Sequence, residues 1–258
     1  MKVVTLITIP SPAQYNTCTL ILESLRTGFP HSKIEVYVNN SGTSYRQMIQ
    51  QRVEGQDIDV TYLYRMRHHG EWIEEMIKNT QGELLIVDPD VIMWKEWLFT
   101  FETLLAGMYI PAMWNEWAQC VSVPRLHTSF LQIKDCQKLL IAIKNDYPMA
   151  VRSPEYAPLR PFMPTVQYVH GGRCFWDTCA CLYGIFGGTS FTEQHFECYD
   201  HLNSASFVDI MAENMEEGKQ FKQAHKEVAN NPQLLKGTWR HVLKYYERMN
   251  NKISGQLN

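Results

Sequence analysis

Leu84-Leu85-Ile86-Val87-Asp88-Pro89-Asp90-Val91-Ile92 joins four consecutive apolar residues to a pair of carboxylates. An uninterrupted apolar run bounded by Gly82 and Pro89 fits a strand covered on both faces, the kind found inside a parallel sheet. Two carboxylates at i and i+2 in extended backbone point to the same side, and here they stand where the strand emerges from the core. In that position Asp88 and Asp90 can share one hard divalent cation. A cation held by few protein ligands keeps positions open for water and for substrate phosphates. The competing reading is a turn in which both aspartates cap local amides.

Working back toward the N-terminus, strand and helix signals alternate. Val3 to Ile9 is a nearly continuous apolar strand ending at Pro10, and Asn16 offers a cap for a helix carrying Leu20, Ile21 and Leu25 that stops at Gly28. Ile34, Val36 and Val38 mark a second strand closing on the turn cluster Asn39-Asn40-Ser41-Gly42, and a polar helix follows from Tyr45 to Val53. Ile58 to Tyr64 is a third strand. A helix near Glu71 to Asn79 sets Trp72, Ile73, Met76 and Ile77 on one face and stops at Gln81-Gly82. This order predicts an α/β fold with a mostly parallel, doubly wound, Rossmann-like sheet, in which ligands sit beyond the carboxyl ends of the strands.

The rest of the chain is less regular. Met93 to Trp97 and Met113 to Trp117 are similar Trp-containing segments, and Leu126 to Ile133 reads as a strand. Five prolines between Pro148 and Pro164 exclude helix or central strand there and suggest a surface loop of the lid or acceptor-binding kind. Thr178 to Ile185 reads as a helix, with Asp177 as its N-cap. Asn231-Pro232 signals the start of a last helix with Leu235, Trp239, Val242, Leu243 and Tyr246 inward.

Composition sets the bounds. At 258 residues, 45% hydrophobic and 20% charged, the chain can bury a substantial core and lacks the signature of disorder. No apolar run approaches the roughly 20 residues a membrane helix needs, and no secretory signal is read at the N-terminus, so the expected location is cytoplasmic. Seven cysteines, an odd number with no paired C-x2-C knuckles, fit reduced core thiols rather than a disulfide framework or structural zinc. Net charge is −3, yet Lys219 to Lys252 holds eight Lys/Arg against two Glu, a tail suited to an anionic partner or simply to a solvated helix face. The usual signatures of P-loop enzymes, G-x-G-x-x-G dehydrogenases, serine hydrolases and H-E-x-x-H proteases are absent.

Residues 3 to 95, from the opening strand through Asn39-Asn40-Ser41-Gly42 to the D-x-D of Asp88 and Asp90, resemble the GT-A fold nucleotide-sugar glycosyltransferases of the family-2-like group. The resemblance implies one GT-A-like catalytic domain over 1–210, with a nucleotide-sugar-binding half at 1–125 and an acceptor-binding half at 126–210, and a basic helical extension at 211–258. It implies that Thr8, Pro10 and Asn40 line the nucleotide, with Arg65 or His69 near the diphosphate. Asp88 and Asp90 would bind the Mn2+ or Mg2+ ion, and His201, in Tyr199-Asp200-His201-Leu202-Asn203-Ser204-Ala205-Ser206, would complete the metal site, with His127 and His195 as rivals. Carboxylates beside aromatics are candidates for the base that takes the acceptor proton, namely Asp177, Glu193 and Glu197. Trp114, Trp117 and Trp176 are candidates for stacking on a sugar or base.

The activity implied is metal-dependent transfer of a sugar from a nucleoside-diphosphate sugar to a hydroxyl. The acceptor is a glycan, a lipid-linked sugar, a protein or, through the basic tail, a polyanion such as viral DNA with hydroxymethylated bases. A nucleotidyltransferase acting on a sugar phosphate is the first alternative, weakened because Ser11 to Asn16 has neither glycine nor a cation to hold a triphosphate. A non-catalytic nucleotide-sugar-binding protein is the second.

Overall fold

Strands form where apolar residues run on without interruption. The computed structural model describes residues 1–8, 20–39, 42–115, 120–145, 149, 174–175, 177–201, 223, 226–227, 230–240 and 244. Strand β1 (Lys2–Thr8) buries everything from Val3 to Leu6 and Ile7, and β4 (Leu84–Val87) is buried at all four positions. Between them β2 (Lys33–Asn39) and β3 (Ile58–Leu63) pair in parallel, with Thr8 opposite Asn39 and Asn39 opposite Leu63, so the carboxyl ends of three strands finish in one row. Helices α1 (Leu20–Gly28), α2 (Thr43–Val53) and α3 (His69–Lys78) fill the intervals. The amphipathic stripe expected on α3 is observed, with Trp72, Ile73, Met76 and Ile77 all buried, each side chain contributing about 1.5–3 kcal/mol.

Beyond β4 come β5 (Val91–Met93), β6 (Leu105–Ile110), β7 (Met113–Asn115), β8 (Cys120–Ser122), β9 (Arg125–Ile133), β10 (Cys174–Phe175), β11 (Thr189–Ser190) and β12 (Tyr199–His201). Interspersed are α4 (Cys136–Lys144), α5 (Ala180–Phe186) and the one-turn α6 (Glu193–Phe196). Seven strands form a mixed sheet in the order β11-β6-β9-β4-β1-β2-β3, in which β6 and β9 run antiparallel while the β1/β2, β2/β3 and β6/β11 pairs are parallel. Two smaller sheets, β10-β8-β7 and β12-β5, complete the described strands. The expected α/β, mostly parallel, Rossmann-like architecture is therefore observed.

The chain gathers into two compact units, one of Met1–Arg67, Leu85–Phe99 and Thr192–Trp239, the other of His68–Leu84, Thr100–Phe191 and Arg240–Asn258. In the first, Gly28 ends α1 against Met93 of β5 so closely that a Cβ would lie 2.7 Å from Met93 Cγ, and the Gly28 carbonyl accepts the Trp97 N–H at 2.9 Å. In the second, α3 packs on α4, whose N-cap Asp135 accepts the Gln137 and Lys138 amides.

Several local expectations differ. Asp177 does not cap α5: its N-cap is Cys179 in the left-handed region (φ 72), and the Asp177 side chain accepts the adjacent Thr178 N–H at 2.8 Å. Asn231-Pro232 opens a 3-10 turn, Pro232–Leu235, rather than a long helix, because Gly237 follows at φ 81 and breaks it; helix resumes at Trp239. Cys136, Cys179, Cys181 and Cys198 are buried free thiols, as core residues should be. Asn16, the Pro148–Pro164 segment and most of the basic tail lie outside the described residues.

Candidate functional site

Strand β4 leads into Asp88, half-buried, and Asp90, buried, but not in extended backbone. Asp88-Pro89-Asp90 is a turn, closed by the Val91 N–H donating to the Asp88 carbonyl at 3.2 Å. Proline lacks a ladder donor, which suits it to this turn between β4 and β5. The turn leads into β5, and β5 pairs antiparallel with β12 in the register Met93–Tyr199, Ile92–Asp200, Val91–His201. That register brings His201 beside Asp90.

The result is a compact polar centre. His201 Nε2 lies 2.9 Å from Asp90 Oδ1, with the two side chains 11% and 5% exposed. Ligand atoms of Asp88, Asp90 and His201 all lie within 4.8 Å of one another, and among the described residues this is the group of His, Cys, Asp or Glu side chains so gathered. Ligands at about 2.1 Å from one small cation stand about 3.0 Å apart when adjacent, so the 2.9 Å between His201 Nε2 and Asp90 Oδ1 suits neighbouring positions on a single ion. Two hard carboxylates plus one imidazole is a donor set suited to manganese or magnesium.

Sequence reasoning passed over the residue that anchors this centre from behind. Asp200 is 1% exposed, and its carboxylate accepts from Trp94 Nε1–H, the Gly237 and Trp239 amides and the Thr238 hydroxyl. The signal was present: neighbouring strand residues face opposite sides, so a His201 aimed at a metal implies an inward Asp200 in need of donors.

The other candidates fall in varied settings. Thr8 ends β1, where its hydroxyl accepts from Asn39 Nδ2 at 3.2 Å; the same Asn39 amide donates to the Arg67 carbonyl and accepts the Arg67 N–H. Asn39 therefore splices the ends of β1 and β2 to the segment after β3. Pro10 and Asn40 lie outside the described residues, as do Trp117, Trp176 and residues 202–206. Arg65 is exposed in the first unit. His69 opens α3 in the second unit and stacks on Trp72 at 6.1 Å.

Asp177, also in the second unit, holds Arg125 Nη2 at 2.6 Å through Oδ2 while Oδ1 takes the Thr178 amide. Beside this pair, burial pushes the Cys179 thiol up to about 12, which favours its protonated form. Glu193 stands exposed in the first turn of α6, and Glu197, exposed after it, pairs with Lys95. The rival histidines are engaged locally. His127 Nδ1 meets Ser129 Oγ at 2.6 Å. His195 Nδ1 accepts the Thr192 amide at 2.9 Å in a capping box, and burial lowers its pKa. Of the three histidines, His201 is the one gathered with Asp88 and Asp90.

No family model and no curated protein matches this chain. Among solved structures, it is similar to the glycosyltransferase GlyE of Streptococcus pneumoniae TIGR4, at 15% identity over 75% of this chain and 46% of that one, with a TM-score of 0.43; this chain thus spans less than half the length of that protein. It is similar to the galactosyltransferase LgtC, solved in complex with donor and acceptor sugar analogs, at 12% identity over 75% of this chain and 74% of that one, with a TM-score of 0.42. It is also similar to the CTP:phosphocholine cytidylyltransferase LicC of Streptococcus pneumoniae, at 14% identity over 57% of this chain and 77% of that one, with a TM-score of 0.39. With each of these TM-scores below 0.5, the functional reading rests on the geometry of the site itself.

Proposed function

We propose that the protein is a metal-dependent glycosyltransferase that takes its sugar from a nucleoside-diphosphate sugar and passes it to a hydroxyl acceptor. One observation carries this reading: the gathering of Asp88, Asp90 and His201 where the buried strand β4 leaves the sheet. In α/β sheets of this kind, ligands bind beyond the carboxyl ends of the strands. When bound, Mn2+ or Mg2+ supplies charge neutralisation for a diphosphate leaving group.

The chain's own residues hold and orient. Asp88 and Asp90 present oxygen ligands from a turn whose ends are fixed by β4 and β5, and His201 adds a nitrogen ligand from β12. Thr8, at the end of β1, and exposed Arg65, after β3, belong to the same unit and are proposed for the nucleotide and its diphosphate. For the acceptor half, Asp177 is already committed to Arg125 and to the Thr178 amide, which suits it to positioning, while Glu193 is solvated at the start of α6. We therefore assign residues to the grip on the donor and leave the base unassigned. Among the described residues no helix is long and apolar enough to cross a membrane.

The test is slow donor hydrolysis. Purified protein is incubated with a panel of nucleoside-diphosphate sugars with and without Mn2+, and release of nucleoside diphosphate is followed. Metal-dependent release from one donor, lost in Asp88→Asn and Asp90→Asn, is expected. Release that persists in both variants, or release of pyrophosphate from a nucleoside triphosphate with a sugar phosphate instead, would refute it.

A further inference from the structure

Strand β12, which carries His201, and β5, which follows Asp90, form a ribbon of three residues each, outside the seven-stranded sheet. An isolated two-stranded ribbon is at best marginal in water. Asp90 leads directly into β5 and His201 closes β12, so whatever secures the ribbon also sets the reach between the two ligands.

Behind the ribbon a single buried carboxylate gathers donors from two directions. Asp200 Oδ2 accepts Trp94 Nε1–H at 2.8 Å, from the residue that follows β5, and the Gly237 N–H at 2.6 Å. Asp200 Oδ1 accepts the Trp239 N–H at 3.0 Å and the Thr238 hydroxyl at 3.2 Å. The same segment adds apolar contacts: Leu235 packs with Ile92 and Trp94, Lys236 Nζ sits 5.7 Å from the Trp94 ring centre, and Trp239 stacks on Phe196 at 5.4 Å. Gly237, at φ 81, supplies the turn that lets amides on either side of Thr238 converge on one carboxylate.

We propose that Lys236–Trp239, clamped by Asp200, is a positioning strap for the Asp88–Asp90–His201 centre, and that divalent-cation binding and strap docking stabilise each other. This inference rests on the metal reading above. Asp200 touches no ligand atom of the cation; it acts through β12, holding His201 opposite Val91. Coupling of this kind is reciprocal, so a cation that fixes His201 in place beside Asp90 must tighten the strap by the same factor as the strap tightens the cation.

The experiment measures Mn2+ binding to the full chain by the loss of the free-ion electron paramagnetic resonance signal, in parallel with amide exchange at Gly237 and Trp239. Asp200→Asn keeps the side-chain size but turns one acceptor oxygen into a donor facing other donors; Trp94→Phe and Thr238→Val each delete one donor. The Mn2+ dissociation constant is expected to rise 10- to 100-fold in Asp200→Asn, as for other residues that orient metal ligands, and by a smaller factor in the single-donor variants. Mn2+ should slow exchange at Gly237 and Trp239 in the wild type and not in His201→Ala. Wild-type affinity in Asp200→Asn, or exchange at these amides indifferent to Mn2+ in a protein that binds it, overturns the strap. A wild type that binds no Mn2+ overturns the metal reading instead. If Asp200→Asn does not fold, the two single-donor variants carry the same comparison.

Discussion

Replacing Asp90 by Asn separates a metal centre from a merely polar turn. The substitution keeps shape but removes one of two anionic ligands from a centre whose atoms lie within 4.8 Å of one another. A cation that binds only the folded chain stabilises it by about 2.7 kcal/mol when present at 100 times its dissociation constant. Unfolding a domain changes entropy by about 2.1 cal/mol/K per residue, so 258 residues give about 0.54 kcal/mol/K. The wild-type melting temperature should therefore rise by about 5 °C at that Mn2+ concentration. Asp90→Asn should show a rise below about 1 °C over the same range. Without metal it should melt close to the wild type, because relief of the two neighbouring carboxylates offsets the weakened Asp90–His201 contact. The assay is scanning calorimetry across a Mn2+ titration, with Ca2+ as a control for non-specific charge screening. Equal Mn2+-induced rises in both proteins, or none in the wild type up to millimolar concentrations, would refute the assignment of Asp90 as a ligand.

Two further tests probe the scaffold. Burial alone would raise the Glu35 carboxyl, but hydrogen bonds from Lys2, Lys33 and Tyr37 outweigh it and hold it at about 2. A carboxylate depressed in the folded state stabilises above its unfolded value near 4.5 and loses that contribution as pH falls toward 2. Because Lys33 is largely solvated, screening leaves about 1–2 kcal/mol of the nominal 3, so urea denaturation should show Glu35→Gln destabilised by that amount at pH 7 and by progressively less below pH 4.5; a pH-independent difference would rule out the ion-pair account. Gly188→Ala would place a Cβ 2.8 Å from the Leu105 carbonyl oxygen and 2.8 Å from Leu126 Cδ1, so calorimetry should show a loss of about 2–3 kcal/mol, and an unchanged melting temperature would show that β11 can shift away from β6.

The N-terminal elements were legible because their signals are local. Leu84 to Val87 announces a doubly covered strand by composition alone, and the α3 stripe of Trp72, Ile73, Met76 and Ile77 announces its own buried face. The short strands were not, because a two- or three-residue segment such as β10 or β12 has no period to read and exists only through its partner. The D-x-D motif is legible, but its backbone is not: extended chain puts i and i+2 carboxylates side by side on a strand, whereas here a turn at Pro89 brings them together. Asp177 shows the opposite failure, a cap by sequence whose carboxylate the fold spends on Arg125, a residue far away in the chain. His201 was placed beside Asp90 only through the resemblance, since no local pattern links residues 111 positions apart.

Closing that span has a cost, and the source of the compensation decides what Asp200 is for. Trp94 and Asp200 are 106 residues apart, and closing a flexible loop of that length costs about 4 kcal/mol in chain entropy. Apolar packing is sufficient to offset it: Trp97, Phe196, Tyr199 and Trp239 are all buried, with Tyr199 5.8 Å from Phe196 and 6.2 Å from Trp97, and each such burial contributes about 1.5–3 kcal/mol. In a ribbon of three residues per strand, apolar pattern and polar pairing set the register together. A slip of one residue along β12 exchanges the faces of Asp200 and His201, sending the imidazole into the Trp94 pocket and the carboxylate toward Asp90. That alternative turns Tyr199 off its buried face, leaves the Gly237 and Trp239 amides facing an imidazole, which cannot accept both, and adds a third carboxylate to the Asp88–Asp90 pair. The aromatic residues thus hold the ribbon and, together with the directional bonds to Asp200, select the register in which the centre acquires its nitrogen ligand.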